Sequence, residues 1–245
     1  MTGKKPAVLV TGGARRIGRA VAEALAARGF RVLVHARKPD DADAVALAAE
    51  LGGVALFADL AEPLGPAKLF SDAVRLAPEL AFLVNNAAVF STAAELPSAE
   101  TAALRAVNVT APEKLTTLLA LRLLENAFTL PRHGAVVDLL DCRVVPFRSG
   151  REHPVPRSPY FQSKLDLAAL MRKQAGMFAG SLRVNGVAPG PVLVPADAVN
   201  REKGGEILLD ARPTPEDVAA AAAFLLVAGG VTGQILCVDS GQSLL

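Results

Sequence analysis

Short aliphatic runs alternate with Ala-rich stretches of helical spacing along the chain, and this alternation restricts its fold more than any other feature. A strand that reads as nearly unbroken Val, Leu, Ile and Ala is buried on both faces, and a helix between two such strands lets them pair in parallel. Runs of this kind fall at about 7–10, 31–35, 54–57, 81–84, 134–139, 182–187 and 234–238, each bounded by Gly, Pro or charged residues. The pattern predicts an α/β chain with a Rossmann-type, doubly wound parallel sheet of about seven strands and helices on both faces. Its 245 residues fit one domain, 1–245, because no linker or low-complexity tract divides them. The stretches 143–159 and 189–212 are Pro-containing and neither strand nor crossover helix, and they are read as walls of one cleft. In open parallel sheets that cleft lies beyond the strand carboxyl ends, where the strand order reverses.

Charge and cysteine content close off other classes. A net charge of +2, with Lys and Arg scattered, offers no stripe for nucleic acid or an anionic membrane. No apolar run approaches membrane-span length, and Met1 to Pro6 lacks the layout of a secretory signal, so a cytoplasmic protein is expected. Cys142 and Cys237 lack metal-ligand spacing and are read as ordinary thiols. His35, His133 and His153 have no metal-ligand company, and no metal is predicted.

The first run leads into Thr11-Gly12-Gly13-Ala14-Arg15-Arg16-Ile17-Gly18 and then a helix over Arg19 to Arg28, closed by Gly29. A helix N-terminus offers unpaired N–H groups and positive potential to a pyrophosphate; Gly12 permits the sharp turn and Gly18 the close approach of helix to strand. After the second run, where an NAD site places a carboxylate for the ribose 2′-hydroxyl, the chain reads His35-Ala36-Arg37-Lys38. Arg16, Arg37 and Lys38 suit a 2′-phosphate instead, and NADPH is the expected cofactor. The competing reading is solvated charge at a strand end, with Asp40 and Asp41 as ion-pair partners.

These residues and six later motifs resemble the short-chain dehydrogenase/reductase superfamily. Asp59-Leu60 sits where that family's Asp contacts the adenine. Asn85-Asn86-Ala87-Ala88 resembles its Asn-Asn-Ala-Gly turn beside the cofactor. Asn108 lies at the position of its structural and catalytic Asn, which helps hold a water for proton relay. Tyr160 and Lys164 supply Tyr-x-x-x-Lys, and Arg183 to Gly190, with Val192 beyond, resembles the late loop against the nicotinamide, which Pro189 and Gly190 would border. Val238-Asp239-Ser240-Gly241 resembles the C-terminal Val-Asp-Gly-Gly. The resemblance implies hydride transfer with Tyr160 as the acid. The i, i+4 spacing puts Lys164 on the same helical face, where an ammonium is expected to lower the phenol pKa. Lys164 would also bind the nicotinamide ribose.

One departure narrows the expectation. Asp141 stands where most members carry Ser, and pteridine reductases carry Asp there. Arg16, His35 and Phe90 also resemble theirs, with Phe90 matching a ring that stacks on the pterin and Asp141 a carboxylate that hydrogen-bonds or relays protons through Tyr160. Asp141 as a strand-end cap and Phe90 as a core aromatic are the plainer alternatives. The interval from Asp141 to Tyr160 is lengthened by about six residues relative to the family and carries Arg148, Arg151, His153 and Arg157. Three readings result: an NADPH-dependent pteridine reductase, a 3-oxoacyl-thioester or general carbonyl reductase, and a catalytically inactive NADP(H)-binding protein. The resemblance further implies a homotetramer assembled through helices near 108–127 and 160–176.

Overall fold

The computed structural model describes residues 5–127, 134–145, 158–192 and 206–245. Seven strands, β1 (Ala7–Val10), β2 (Arg31–Ala36), β3 (Val54–Phe57), β4 (Leu80–Asn85), β5 (Gly134–Leu139), β6 (Leu182–Pro189) and β7 (Ile235–Val238), form one sheet in the order β3-β2-β1-β4-β5-β6-β7. Every neighbouring pair is parallel. The order reverses between β1 and β4, so the crevice opens above their carboxyl ends.

Period-two alternation sends Val8 and Val10 to one face of the sheet and Ala7 and Leu9 to the other. Helices α1 (Arg16–Ala27), α2 (Ala42–Glu50) and α7 (Pro215–Val227) cover the first face; α3 (Gly65–Leu76), α5 (Ala111–Glu125) and α6 (Pro159–Met177) cover the second. The helix α4 (Ser98–Arg105) runs into α5 through a π-helical turn, Ala106–Thr110. Each helix that covers the sheet buries an i, i+4 stripe, such as Leu115, Leu119 and Leu123 on α5, and each fully buried Leu contributes about 2 kcal/mol.

The predicted strands are all present, with β2, β4 and β6 longer than expected and β7 starting at Ile235. Helix α1 begins at Arg16, three residues before its expected start, because the glycine turn itself forms the first helical turn. It ends as expected: Gly29, at φ +87, donates to the Ala26 carbonyl while Phe30 donates to Leu25, the paired bonds of a Schellman motif. The basic residues Arg148, Arg151, His153 and Arg157, together with His133 and residues 193–205 of the second expected cleft wall, lie outside the described residues. Among the described residues no helix is long and apolar enough to cross a membrane.

Candidate active site

The turn after β1 is built to receive an anion. Gly12 sits at φ +59, and a Cβ on Gly18 would lie 2.1 Å from the Gly12 carbonyl oxygen, so only glycine lets α1 start this close to the strand. Helix α1 has no side-chain N-cap and no acid in its first turn, which leaves its N–H groups for a ligand. Arg16 adopts a left-handed φ of +54, a conformation that costs a non-glycine residue about 1–2 kcal/mol. These features fit a dinucleotide pyrophosphate.

Two side chains expected at the cofactor site hold this turn. His35 is buried; its Nδ1 accepts from the Gly12 N–H at 3.2 Å, and its Nε2 lies 3.0 Å from the Ala58 carbonyl. That pattern defines the neutral Nε2–H tautomer, and burial pushes its pKa below the usual range. Asn86 donates from Nδ2 to the Thr11 and Gly12 carbonyls, both at 2.9 Å, while the Thr11 hydroxyl accepts from the Asn86 and Ala87 N–H groups. Leu60 packs its side chain in the core. Asp59 caps its own turn, accepting from the Ala61 N–H at 2.9 Å. Ala88 is exposed at the crevice rim, and Ile17 is partly buried against the core.

At the adenosine end, Arg37 and Lys38 are exposed, and no ion pair among the described residues involves either. The expected competition from Asp41 is absorbed by Arg15, which pairs with Asp41 at 3.0 Å and also with Asp43. Arg15 carries no local signal of this role, because its partners lie 26 and 28 residues on. At the other end Gly190 donates to the Val238 carbonyl at 2.9 Å, and a Cβ there would come within 2.9 Å of the Asp239 Cα. Pro189, Gly190 and Val192 are half-buried at this closure of β6 onto β7.

Ser158 starts α6 as its N-cap, accepting from the Phe161 N–H, and Pro159 follows at the first helical position. Tyr160 therefore lies in the first turn and Lys164 one turn on. Both are buried. The Lys164 Nζ donates to the Leu139 carbonyl at 2.7 Å and lies 5.9 Å from the centre of the Tyr160 ring. Burial lowers the Lys164 pKa to about 8, opposed by Asp141 and Asp138. Tyr160 does not show the expected depression: burial and then the Asp141 charge push its pKa up, with Arg143 the opposing influence. The expected effect of Lys164 is missing because its ammonium is turned to a backbone carbonyl.

Asn108 sits in the π-helical turn, a form that favours functional positions. Its Oδ1 accepts from the Val89 N–H at 2.8 Å, and its Nδ2 donates to the Val89 carbonyl and the Ser163 Oγ, both at 3.0 Å. Both Nδ2 hydrogens are thus taken, and a water held by this side chain would donate to the second lone pair of Oδ1.

Asp141 extends from the end of β5 and is bound by Arg143. Its Oδ1 accepts from the Arg143 backbone N–H at 3.0 Å and Nε at 2.7 Å, and its Oδ2 from Nη2 at 2.7 Å. It is thus the strand-end cap of the plainer alternative and a charged neighbour of Tyr160 as well. Phe90 is half exposed, not a core aromatic, and meets the Tyr160 ring edge-on at 4.8 Å. Phe90, Thr92, Arg143, Ser158 and Tyr160 line a cavity of about 100 Å³.

Sequence reasoning missed two members of this region. Arg143 stood in plain view two residues after Asp141. Asp138 is fully buried on β5 and accepts from Asn85 Nδ2 at 2.8 Å; its Oδ2 and the Asn85 Oδ1 have no partner among the described residues. Burial raises its pKa to about 7, against the Asn85 bond and the Lys164 charge. A lone acid in the run Ala135-Val136-Val137-Asp138-Leu139 was the available signal.

A phosphate-receiving turn at the switch point, with a buried Tyr and Lys one helical turn apart beside it, defines a dinucleotide-dependent oxidoreductase. The chain belongs to the short-chain dehydrogenase/reductase superfamily: the family model described as enoyl-(acyl carrier protein) reductase matches residues 12–243. It is 31% identical to the 3-oxoacyl-[acyl-carrier-protein] reductase of Bos taurus, over 96% of this chain and 97% of that protein. Among solved structures it is similar to the FolM alternative dihydrofolate reductase 1 of Brucella suis in complex with NADP, with TM-score 0.80 and 31% identity over 97% of this chain and 95% of that one. A blue fluorescent protein from a metagenomic library, in complex with NADPH, matches with TM-score 0.79 and 27% identity over 96% of this chain and 97% of that one.

Proposed function

We propose that this oxidoreductase uses NADPH to reduce a flat, nitrogen-rich heteroaromatic of the pteridine type. The observation that carries the reading is Phe90: a half-exposed ring held edge-on to Tyr160, lining with it a cavity that Arg143, the partner of Asp141, also lines. A planar substrate stacked on Phe90 lies within reach of the Tyr160 hydroxyl. The likeness to the Brucella suis dihydrofolate reductase in complex with NADP supports both substrate and cofactor.

The cofactor would be held by the α1 N-terminus between Gly12 and Gly18, by Arg37 and Lys38 at its 2′-phosphate, and by Pro189, Gly190 and Val192 at its nicotinamide end. Bound NADPH supplies the hydride. Tyr160 donates the proton that neutralises the developing negative charge on substrate. Lys164, whose pKa burial brings down to about 8, can turn from the Leu139 carbonyl toward the cofactor ribose and the phenol, bringing the positive charge that Tyr160 lacks here. Asn108 fixes the Val89–Phe90 backbone against α6. Exposed Leu121 and Leu124 on α5 and Met177 at the end of α6 support assembly of copies through these helices; a monomeric mass by light scattering refutes it.

The test is NADPH oxidation by the purified protein with a dihydropterin, beside an acetoacetyl thioester and with NADH in parallel. Strong dihydropterin turnover with NADPH is expected. Thioester turnover alone selects the second reading, a 3-oxoacyl-thioester reductase, which the likeness to the bovine enzyme favours. Tight NADPH binding with no turnover across a carbonyl and pterin panel selects the inactive binding protein.

A further inference from the structure

The carboxylate that replaces the family's usual Ser already holds a ligand supplied by its own chain. Asp141 takes three donors from Arg143, two of them the parallel Nε and Nη2 hydrogens of the guanidinium, each at 2.7 Å. Such a fork of two N–H groups on a planar frame is the arrangement a carboxylate binds most specifically. The pair is not a surface decoration: the Asp141 side chain is 13% exposed and that of Arg143 21%, and the guanidinium stacks over the Phe161 ring at 5.5 Å. Arg143 also lines the cavity between Phe90 and Tyr160.

A 2-amino-4-oxopyrimidine edge presents the same fork, a ring N3–H beside an exocyclic N–H₂ on one plane. The two donors cannot share the bidentate face of one carboxylate. We infer that Arg143 is a specificity-determining residue: an internal guanidinium that occupies Asp141 in the free protein and that a substrate bearing an amidine-type donor edge displaces. The inference rests on the pteridine reading for the identity of that edge. Its consequence is selectivity at a cost in affinity. A substrate with the fork regains at Asp141 what it takes from Arg143, and the freed guanidinium turns to solvent or to the substrate's oxygen. A substrate without the fork leaves the pair closed and finds a smaller cavity with no unsatisfied acceptor.

Two ligands that differ at one position separate this from a packing effect: pterin, with the 2-amino group, and lumazine, with oxygen in its place. Binding to the NADP⁺-loaded protein is measured by calorimetry, without turnover. Arg143→Ala should bind pterin about tenfold tighter than the wild type while lumazine changes less than about twofold, tenfold corresponding to about 1.4 kcal/mol. Arg143→Lys, which keeps the charge without the fork, should fall between and guards against a misfolded alanine variant. Adding Asp141→Asn to Arg143→Ala should abolish the gain. Unchanged or weaker pterin binding, or equal tightening for both ligands, overturns the displacement whatever the turnover. Absence of dihydropterin reduction by the wild type removes the pteridine reading alone, since the binding comparison stands without it.

Discussion

The two halves of the crevice are finished to different degrees. On the cofactor side every polar side chain that shapes the turn is satisfied inside the protein: His35 holds Gly12, Asn86 holds Thr11 and Gly12, and Thr11 holds Asn86 and Ala87. On the substrate side Lys164 rests on a backbone carbonyl, Asp141 is taken by Arg143, Tyr160 is buried with a raised pKa, and Asp138 and Asn85 each keep a polar atom without a partner among the described residues. A rigid cradle costs little to fill because its order exists beforehand. The substrate half must exchange bonds when it works, so its selectivity resides in what those exchanges require.

The contrast breaks if a change in one half disturbs the other. The largest effect is expected for Tyr160→Phe, which should lower kcat/KM about a thousandfold while NADPH affinity stays within about threefold, read by steady-state rates and by quenching of NADPH fluorescence. Gly18→Ala drives a methyl into the Gly12 carbonyl and should weaken NADPH at least about a hundredfold, by the same fluorescence titration. Joint replacement of Arg37 and Lys38 by Ala should raise KM for NADPH about tenfold with little change for NADH. Equal loss for both cofactors would mean that these cations do not read the 2′-phosphate.

The smallest effect concerns stability. Folded Asp138 titrates at about 7 against an ordinary 3.8. Folding therefore favours its protonated form, and the stability this brings is intact below about pH 4 and lost as pH rises through 7. Asp138→Asn supplies an N–H₂ that needs no proton and can face the unpartnered Asn85 oxygen. It should raise the melting temperature by several degrees at about pH 8 and by less at about pH 5, in a pH series of thermal melts. An equal gain at both would mean that Asp138 is ionised throughout.

The sheet was legible in the sequence because a strand buried on both faces must be aliphatic along its length, and seven such runs stand out. The cofactor turn was legible because glycine is the residue that fits at positions 12 and 18, and no other explains the spacing. Roles were harder to read than positions. His35 and Asn86 belong to the cofactor region, yet their partners are backbone atoms 23 and 74 residues away, which no local pattern encodes. The Arg143 grip on Asp141 depends on a side-chain rotamer, and the orientation of Lys164 on where the Leu139 carbonyl points. Burial decides the Tyr160 acidity, and burial is a property of the packed chain.

The bonds from Asn108 to both backbone polar groups of Val89 and to Ser163 make the Phe90 segment and the start of α6 a single jaw. The edge-on meeting of Phe90 and Tyr160 is thus set by a buried amide behind the two rings. Variation that widens the range of molecules accepted would enter through Arg143 and the segment after Phe90, leaving the clamp at Asn108 untouched.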